Sequence, residues 1–218
     1  MLKNRFVLYS ALLGSLTLAG CAAPKPKDYS EFRAADPKTI LILPPKNSSP
    51  DAQAAYGVYA QTSRPVAEAG FYVLPITLVD EHFKAQGMTV ADDIHAIDIG
   101  KLREVFGADA ALYIDVKEYG QKYYVIGSAA VVVAEGRLVD LRTGAELWKG
   151  VARASSDEQS QSSGGIAGLL VTALIKQLMA AALDQSYPMA GLATHRLLAV
   201  QSPGALIPGP RHPAYEKR

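Results

Sequence analysis

The chain has 218 residues, with 22 basic and 21 acidic side chains and a net charge close to zero. This balance disfavours nucleic-acid binding, which needs a strongly cationic surface. A composition with 49% hydrophobic and 20% charged residues is typical of a globular domain and excludes a disordered chain. The single cysteine has no partner for an intramolecular disulfide, so packing alone must stabilise the fold.

The first residues have the pattern of an export signal. Lys3 and Arg5 precede an apolar run over residues 6–18. This run is long enough for a signal-peptide core of about 7 to 15 residues and shorter than the about 20 that a membrane-spanning helix needs. Small residues then precede Cys21. We therefore predict a cleaved signal peptide over residues 1–20.

The segment that ends in Cys21 also resembles the lipobox of bacterial lipoproteins, with the sequence Leu18-Ala19-Gly20-Cys21. In that class the cysteine thiol carries a diacylglyceryl group, and the new amino terminus is acylated with a fatty acid such as palmitate. Several acyl chains make release from a membrane negligible, whereas one chain holds a protein only reversibly. The alternatives are an ordinary secretory signal with a chance cysteine and an uncleaved anchor.

The residues after Cys21 indicate where the anchor lies. Ala22 follows the cysteine in place of an aspartate, and this resembles lipoproteins that are sorted to the outer membrane. We therefore expect an outer-membrane anchor with the domain in the periplasm. Pro24 and Pro26 indicate that residues 21–36 form a lipidated terminus and a flexible spacer.

The first half of the domain, which we place over residues 37–200, alternates predicted strands and helices. Ser49 and Pro50 are suited to a helix cap and a first helical position. Pro65 should kink or restart that helix, because it has no donor for the carbonyl four residues back. The predicted elements are a strand over 38–43, a helix from 49 to a glycine cap at 70, a strand over 71–74, and helices over 77–87 and 98–106.

The second half predicts three antiparallel strands. Apolar and polar side chains alternate over residues 110–118, so they point in turn to the two faces of a sheet. Gly144 forms a turn between an apolar run over 123–141 and a return strand over 147–154. We predict a single α/β domain with a mixed sheet of about five strands, helices packed on its faces and the last three strands antiparallel. The first of these three strands presents Leu112, Ile114 and Val116 on one face and Tyr113, Asp115 and Lys117 on the other.

The carboxyl-terminal part contains a polar loop over residues 155–165, a predicted helix over 166–183 and a Pro-rich irregular strap over 201–218. The helix is apolar nearly all round, and Lys176 near its middle disfavours a membrane span. Burial against the sheet and contact with another subunit both remain open. The leucines that would form such a partner interface are Leu169, Leu170, Leu174 and Leu178.

Four aromatic residues lie near one edge of the predicted sheet. Aromatic side chains usually pack in a core or at an edge, but they are also enriched among interface anchors. We therefore keep both roles, core packing and partner contact, for these positions. They are Tyr119, Tyr123, Tyr124 and Trp148.

Several segments together resemble a family of bacterial outer-membrane lipoproteins of unknown function that includes a meningococcal vaccine candidate. They are residues 41–45 with 64–75, 107–114 with 117–120, 138–144 and 209–215. The resemblance implies a fold similar to the amino-terminal domain of the Tol-system translocation protein and to the periplasmic domain of curli-secretion channel lipoproteins. It further implies a subunit or adaptor of an envelope assembly or transport complex. The implied partners are envelope lipoproteins, including a curli-secretion-channel-like one, or further copies of the chain.

Neither the resemblance nor the residues indicate a catalytic, cofactor or metal site. The four histidines are scattered without the spacing of metal ligands. Asp92-Asp93 and Asp157-Glu158 lie in predicted loops, where solvated charge is the simpler interpretation. We therefore expect a protein that is not an enzyme. A binding module for an envelope glycan or a small solute is the alternative function. The four histidines are His82, His95, His195 and His212.

Overall fold

The computed structural model describes residues 27–123, 128–158, 185–202 and 204–216. Within these residues the chain forms a six-stranded sheet with helices on both faces. The elements in chain order are α1 (Ser30–Ala35), β1 (Thr39–Ile42), β2 (Lys46–Asn47), α2 (Ala54–Glu68), β3 (Tyr72–Val73), α3 (Ile76–Ala85), α4 (Ala91–His95), α5 (Ile99–Phe106), β4 (Ala110–Tyr123), β5 (Ser128–Asp140), β6 (Glu146–Ser155) and α6 (Ser186–Leu198).

The sheet is mixed, with the order β3-β1-β4-β5-β6 and with β2 beside β4. β1 runs parallel to β3 and β4, whereas β5 is antiparallel to both of its neighbours, β4 and β6. This confirms the predicted α/β fold and its three antiparallel strands. The strand beyond the expected five is β2, which has two residues. Gly144 has a φ of 79° in the turn before β6, as the hairpin prediction requires.

The two faces of the sheet are covered to different extents. On one face, here called the covered face, α1, α2 and α6 bury apolar side chains of β1, β4, β5 and β6. On the other, here called the open face, the helices within the described ranges are α3, α4 and α5, which pack over β1 and the adjoining ends of β4 and β5. The predicted alternation in β4 is confirmed, because Leu112, Ile114 and Val116 lie in the covered core and Tyr113 lies on the open face.

The helix predicted from Ser49 begins later, at Ala54. The backbone N–H and the hydroxyl of Ser49 both donate to the side-chain oxygen of Asn47, at 3.0 and 2.7 Å, so Ser49 takes part in a local turn instead of capping a helix. Of the two outcomes expected at Pro65, a kink or a restart of the helix, the restart does not occur. Pro65 lies in the last turn of α2, which continues to Glu68 before Gly70 reverses the chain with a φ of 93°.

Three helices were not predicted. α1 lies within the expected flexible spacer, where buried Phe32 packs against Phe71 with ring centroids 6.1 Å apart. α4 replaces a predicted loop, so the expectation that Asp92-Asp93 lies in a loop is wrong. α6 follows residues 159–184, which contain the predicted apolar helix and lie outside the described residues.

The described part of the carboxyl-terminal strap has no helix or strand. It runs beside the end of α2, where the Gly209 N–H donates to the Ala69 carbonyl at 2.8 Å. Tyr215 donates to Asp36 at 2.8 Å, which ties the strap to the residue after α1. Across the described ranges, none of the helices has the length and apolar character needed to cross a membrane.

Candidate functional site

A groove with a volume of about 740 Å³ lies on the open face, between α4 and the edge strand β6. Its volume is within the range of about 300 to 1,000 Å³ that is usual for small-molecule sites. The antiparallel strands form its floor and provide charged side chains around it. Sequence reasoning did not identify this groove, because its residues come from segments far apart in the chain.

The centre of the groove is a stack of three side chains from α4, β4 and β5. Tyr113 and Arg137 are directly paired across β4 and β5, so their side chains lie together on the open face. The guanidinium carbon of Arg137 lies 4.0 Å from the centroid of the Tyr113 ring, which is a cation–π distance. Tyr113 itself is only 4% exposed. His95 packs edge-on against it, with centroids 5.1 Å apart and an angle of 87° between the planes.

The position of His95 is fixed by its backbone partner. Its Nε2 lies 2.9 Å from the Pro44 carbonyl oxygen, and because a carbonyl only accepts, Nε2 carries the proton. Burial lowers the pKa of His95, and the nearby cations Lys46 and Arg137 lower it further. Burial also raises the pKa of Tyr113. At neutral pH the two rings are therefore uncharged, and Arg137 provides the charge of the stack.

Most other charges around the groove are neutralised in pairs. Lys46 contacts Asp92 at 2.5 Å on the α4 side. Lys117 lies 2.5 Å from Asp115 and 3.5 Å from Glu135 on the opposite side. At the β6 edge, Lys149 and Glu146 are 3.8 Å apart. Among the described residues, the Arg137 guanidinium has no carboxylate partner and no hydrogen-bond acceptor, so its N–H groups are directed to solvent and to the groove.

The structure places the predicted interface aromatics in different environments. Tyr119 and Trp148 are buried in the covered core and present little surface to a partner. Tyr123, at the end of β4, is 84% exposed and stays a candidate. Tyr124 lies outside the described residues, as do Cys21 and the four predicted interface leucines Leu169, Leu170, Leu174 and Leu178.

The signal for the groove was present in the alternation of β4. The alternation assigns Tyr113, Asp115 and Lys117 to one face, and an aromatic residue followed by two charges is unusual for a face that is fully buried. In the sequence, His95 is one of four scattered histidines, and no pattern marks Arg137. Among the residues described, no three His, Cys, Asp or Glu side chains gather in a way that could hold a metal ion.

His95 predicts a dependence of stability on pH. Below the usual histidine pKa of about 6.5, the unfolded chain binds a proton that folded His95 resists, so the free energy of unfolding should fall as the pH decreases. His95→Gln can keep the bond to the Pro44 carbonyl without titrating, and it should make this fall shallower. Urea unfolding of both proteins between pH 5 and 8 measures the difference. Identical slopes below pH 6.5 would contradict the prediction, and parallel profiles above pH 7.5 are the internal control.

Comparison with known proteins identifies the class. A family model described as "Putative lipoprotein GNA1162-like" matches residues 27–211. The "Putative lipoprotein NMB1124/NMB1162" of Neisseria meningitidis serogroup B (strain ATCC BAA-335 / MC58) is 41% identical over 206 residues, which are 94% of this chain and 95% of that relative. The domain is thus of the lipoprotein class. The chain belongs to the family of GNA1162-like lipoproteins, which confirms the resemblance found in the sequence.

A solved structure agrees with this assignment. The crystal structure of lipoprotein GNA1162 from Neisseria meningitidis is 46% identical, covers 66% of this chain and 100% of that chain, and gives a TM-score of 0.52. A more distant similarity is to the PelC dodecamer from Paraburkholderia phytofirmans. It has 16% identity, covers 66% of this chain and 86% of that chain, and gives a TM-score of 0.39. The family assignment depends on the meningococcal proteins.

Proposed function

We propose that this chain is an outer-membrane lipoprotein whose periplasmic domain is a non-enzymatic subunit or adaptor of an envelope assembly. The observation that carries the proposal is the open face of the sheet. Among the described residues, no helix packs over the part of this face that β6 and the middle of β5 form. Membership of a lipoprotein family supports the lipid anchor, and Ala22 after Cys21 supports the outer membrane as its location.

The open face offers a partner both apolar and charged contacts. Val151 of β6 is 66% exposed, and it lies directly opposite Glu135 of β5. Arg137 and Lys149 form the next cross-strand pair on the same face. A patch that combines an exposed apolar residue with charges around it is typical of interfaces between proteins that also exist apart.

In the part of the chain that the structure describes, the edge of β6 is protected, whereas its side on the open face is not. The backbone carbonyl of Lys149 accepts from the Lys27 ammonium, and that of Arg153 accepts from the Arg196 guanidinium at 2.7 Å. These side chains occupy hydrogen-bond positions that an added strand would otherwise use. A partner should therefore bind across the open face instead of extending the sheet. Its proposed identity is another envelope lipoprotein, such as a curli-secretion-channel-like one, or a second copy of this chain.

A photo-crosslinker placed at position 151 tests this proposal in intact envelopes. Val151 should give an adduct whose second component is identified by mass spectrometry as an envelope lipoprotein or as a second copy of the chain. Leu78 on α3 is the matched control, because its exposure of 67% is almost the same as the 66% of Val151. Equal adducts at both positions, or none at 151, would count against the open face as the partner surface.

The groove also favours a second candidate function, which is a binding module for a small solute or a glycan. Its volume of about 740 Å³ and its stack of Arg137, Tyr113 and His95 form a concave site with oriented polar groups. A specific ligand of the native state raises the melting temperature, so thermal shifts with a panel of envelope glycans and solutes would reveal it.

A further inference from the structure

Arg137 differs from an ordinary surface arginine in what lies beneath it. Its guanidinium lies over a ring that is buried, and that ring is held from the side by His95. By contrast, exposed Arg64 on α2 donates to the Glu68 carboxylate at 2.8 Å and is already paired. A guanidinium oriented by an aromatic ring is well placed to bind a planar oxyanion with two parallel hydrogen bonds.

The charges around the groove define the ligand. Asp92 is neutralised by Lys46, and both Asp115 and Glu135 lie beside Lys117. Lys27 also lines the groove, but its ammonium is held by the backbone carbonyls of Lys149 and Gly204. Among the described groups that line the groove, Arg137 is the cation with neither a carboxylate nor a carbonyl partner. The lining cations Lys27, Lys46, Arg137 and Lys149, together with Lys117, face the four carboxylates of Asp92, Asp115, Glu135 and Glu146, so a ligand with one negative charge completes the balance.

A second negative charge on the ligand would be unfavourable. Glu135 lies two residues before Arg137 on β5, so the two side chains point to the same face. Its carboxylate is about half exposed and lines the groove, as does that of Asp92. Asp92 is paired with Lys46, but Glu135 shares the single ammonium of Lys117 with Asp115, so repulsion from the Glu135 carboxylate disfavours a dianion such as a phosphate monoester relative to a monoanion.

We infer that this groove binds a single carboxylate group through the guanidinium of Arg137. The inference depends on the proposed function, since it names the chemistry that the open face recognises. The carboxylate can come from a free small acid or from the carboxyl terminus of a polypeptide partner. The groove is large enough for either, because about 740 Å³ exceeds what one carboxylate needs.

NMR titration of the full chain in detergent tests the inference with four probes. They are N-acetyl-trialanine with a free carboxyl terminus, the same peptide as its amide, benzoate, and phenyl phosphate. We expect the free peptide acid or benzoate to shift the Nε–H resonance of Arg137 and the backbone amide of Tyr113. The amide should shift neither. A higher affinity for the peptide acid would identify a polypeptide terminus as the source, and a higher affinity for benzoate would identify a small acid.

Substitutions distinguish binding by the Arg137 guanidinium from a general effect of positive charge on the protein surface. Arg137→Gln should weaken binding by about tenfold or more, since it removes charged hydrogen bonds. Arg137→Lys keeps the positive charge but lacks the two parallel N–H donors of the guanidinium, so it should give an intermediate affinity. Arg64→Gln is the matched control and should bind as the unmodified chain does. Arg137 is exposed, so we expect both of its variants to retain the amide spectrum of the folded domain.

Three results would overturn the inference. They are equal binding of the peptide acid and its amide, unchanged affinity in Arg137→Gln, and tighter binding of phenyl phosphate than of either carboxylate. Any of them would leave the crosslinking outcome at Val151 intact, because that experiment does not depend on what Arg137 binds. The inference and the proposed function can therefore fail separately.

Discussion

Cys21→Ser is expected to move the chain from the membrane fraction to the soluble periplasmic fraction. The chain has one cysteine, so the substitution removes the sole thiol that can carry a diacylglyceryl group. Each buried methylene contributes about 0.8 kcal/mol to membrane binding, and the loss of several acyl chains removes almost all of it. Fractionation of cells, followed by the mass of the mature chain, measures both location and lipid.

A second substitution provides the control for this experiment. Ala22→Asp keeps Cys21 and should leave the chain lipidated and bound to membrane. It should, however, move the chain from the outer-membrane to the inner-membrane fraction, because lipoproteins that are sorted to the outer membrane do not have an aspartate directly after the cysteine. If Cys21→Ser still sedimented with the envelope, and the unmodified chain had no fatty acid, the anchor would be disproved.

Several elements of this fold could be predicted because they depend on local chemistry. The period of two in β4 assigns its side chains to two faces, and the structure follows that assignment from Ala110 to Val116. Gly107 ends α5 with a φ of 64°, and Gly144 makes the turn before β6 with a φ of 79°. Both are positions where a side chain would be strained, so the sequence marks them directly.

Elements that depend on distant partners could not be predicted. α4 has five residues, too few for hydrophobic periodicity to indicate a helix. Asp92 on this helix is paired with Lys46 of β2, and its Ile94 packs in the core beside the open face. These tertiary contacts accompany the helix, and no local pattern in residues 91–95 indicates them.

The position of Tyr119 shows why a strict alternation of side chains along a strand can assign a residue to the wrong face of the sheet. The pairing register of β4 against β5 shifts between Val116 and Glu118. Such a bulge adds one residue to the strand, so every later side chain changes face. Tyr119 therefore enters the covered core, where its hydroxyl lies close to Gly57 of α2. Sequence reasoning could not place this bulge, and it kept Tyr119 among the interface candidates.

The groove could not be predicted for a related reason. Its stack needs the β4–β5 register to pair Tyr113 with Arg137, and it needs α4 to present His95 from a position 18 residues earlier than Tyr113 in the chain. Each residue alone is unremarkable in the sequence. They come together only in the folded sheet, on a part of its face that no helix covers among the described residues.

Trp148→Ala should have the largest effect on stability among single substitutions in the covered core. Trp148 is 2% exposed, and its indole N–H donates to the Gly204 carbonyl at 2.8 Å. Truncation leaves a large cavity and an unsatisfied carbonyl, and we expect the free energy of unfolding to fall by about 3 to 5 kcal/mol. Urea unfolding should show a lower midpoint with an unchanged slope. Tyr123→Ala, at an exposed ring, is the control and should cost less than about 0.5 kcal/mol.

A double-mutant cycle tests whether the indole of Trp148 packs directly against Gly150. Gly136 and Gly150 are paired across β5 and β6. A Cβ on Gly150 would lie 2.6 Å from the indole of Trp148, closer than atoms can pack, so Gly150→Ala should destabilise the domain on its own. In the Trp148→Ala background that clash is gone, and Gly150→Ala should be much better tolerated. Strictly additive effects would show that the indole does not lie against Gly150, because additivity is expected only of residues that do not touch.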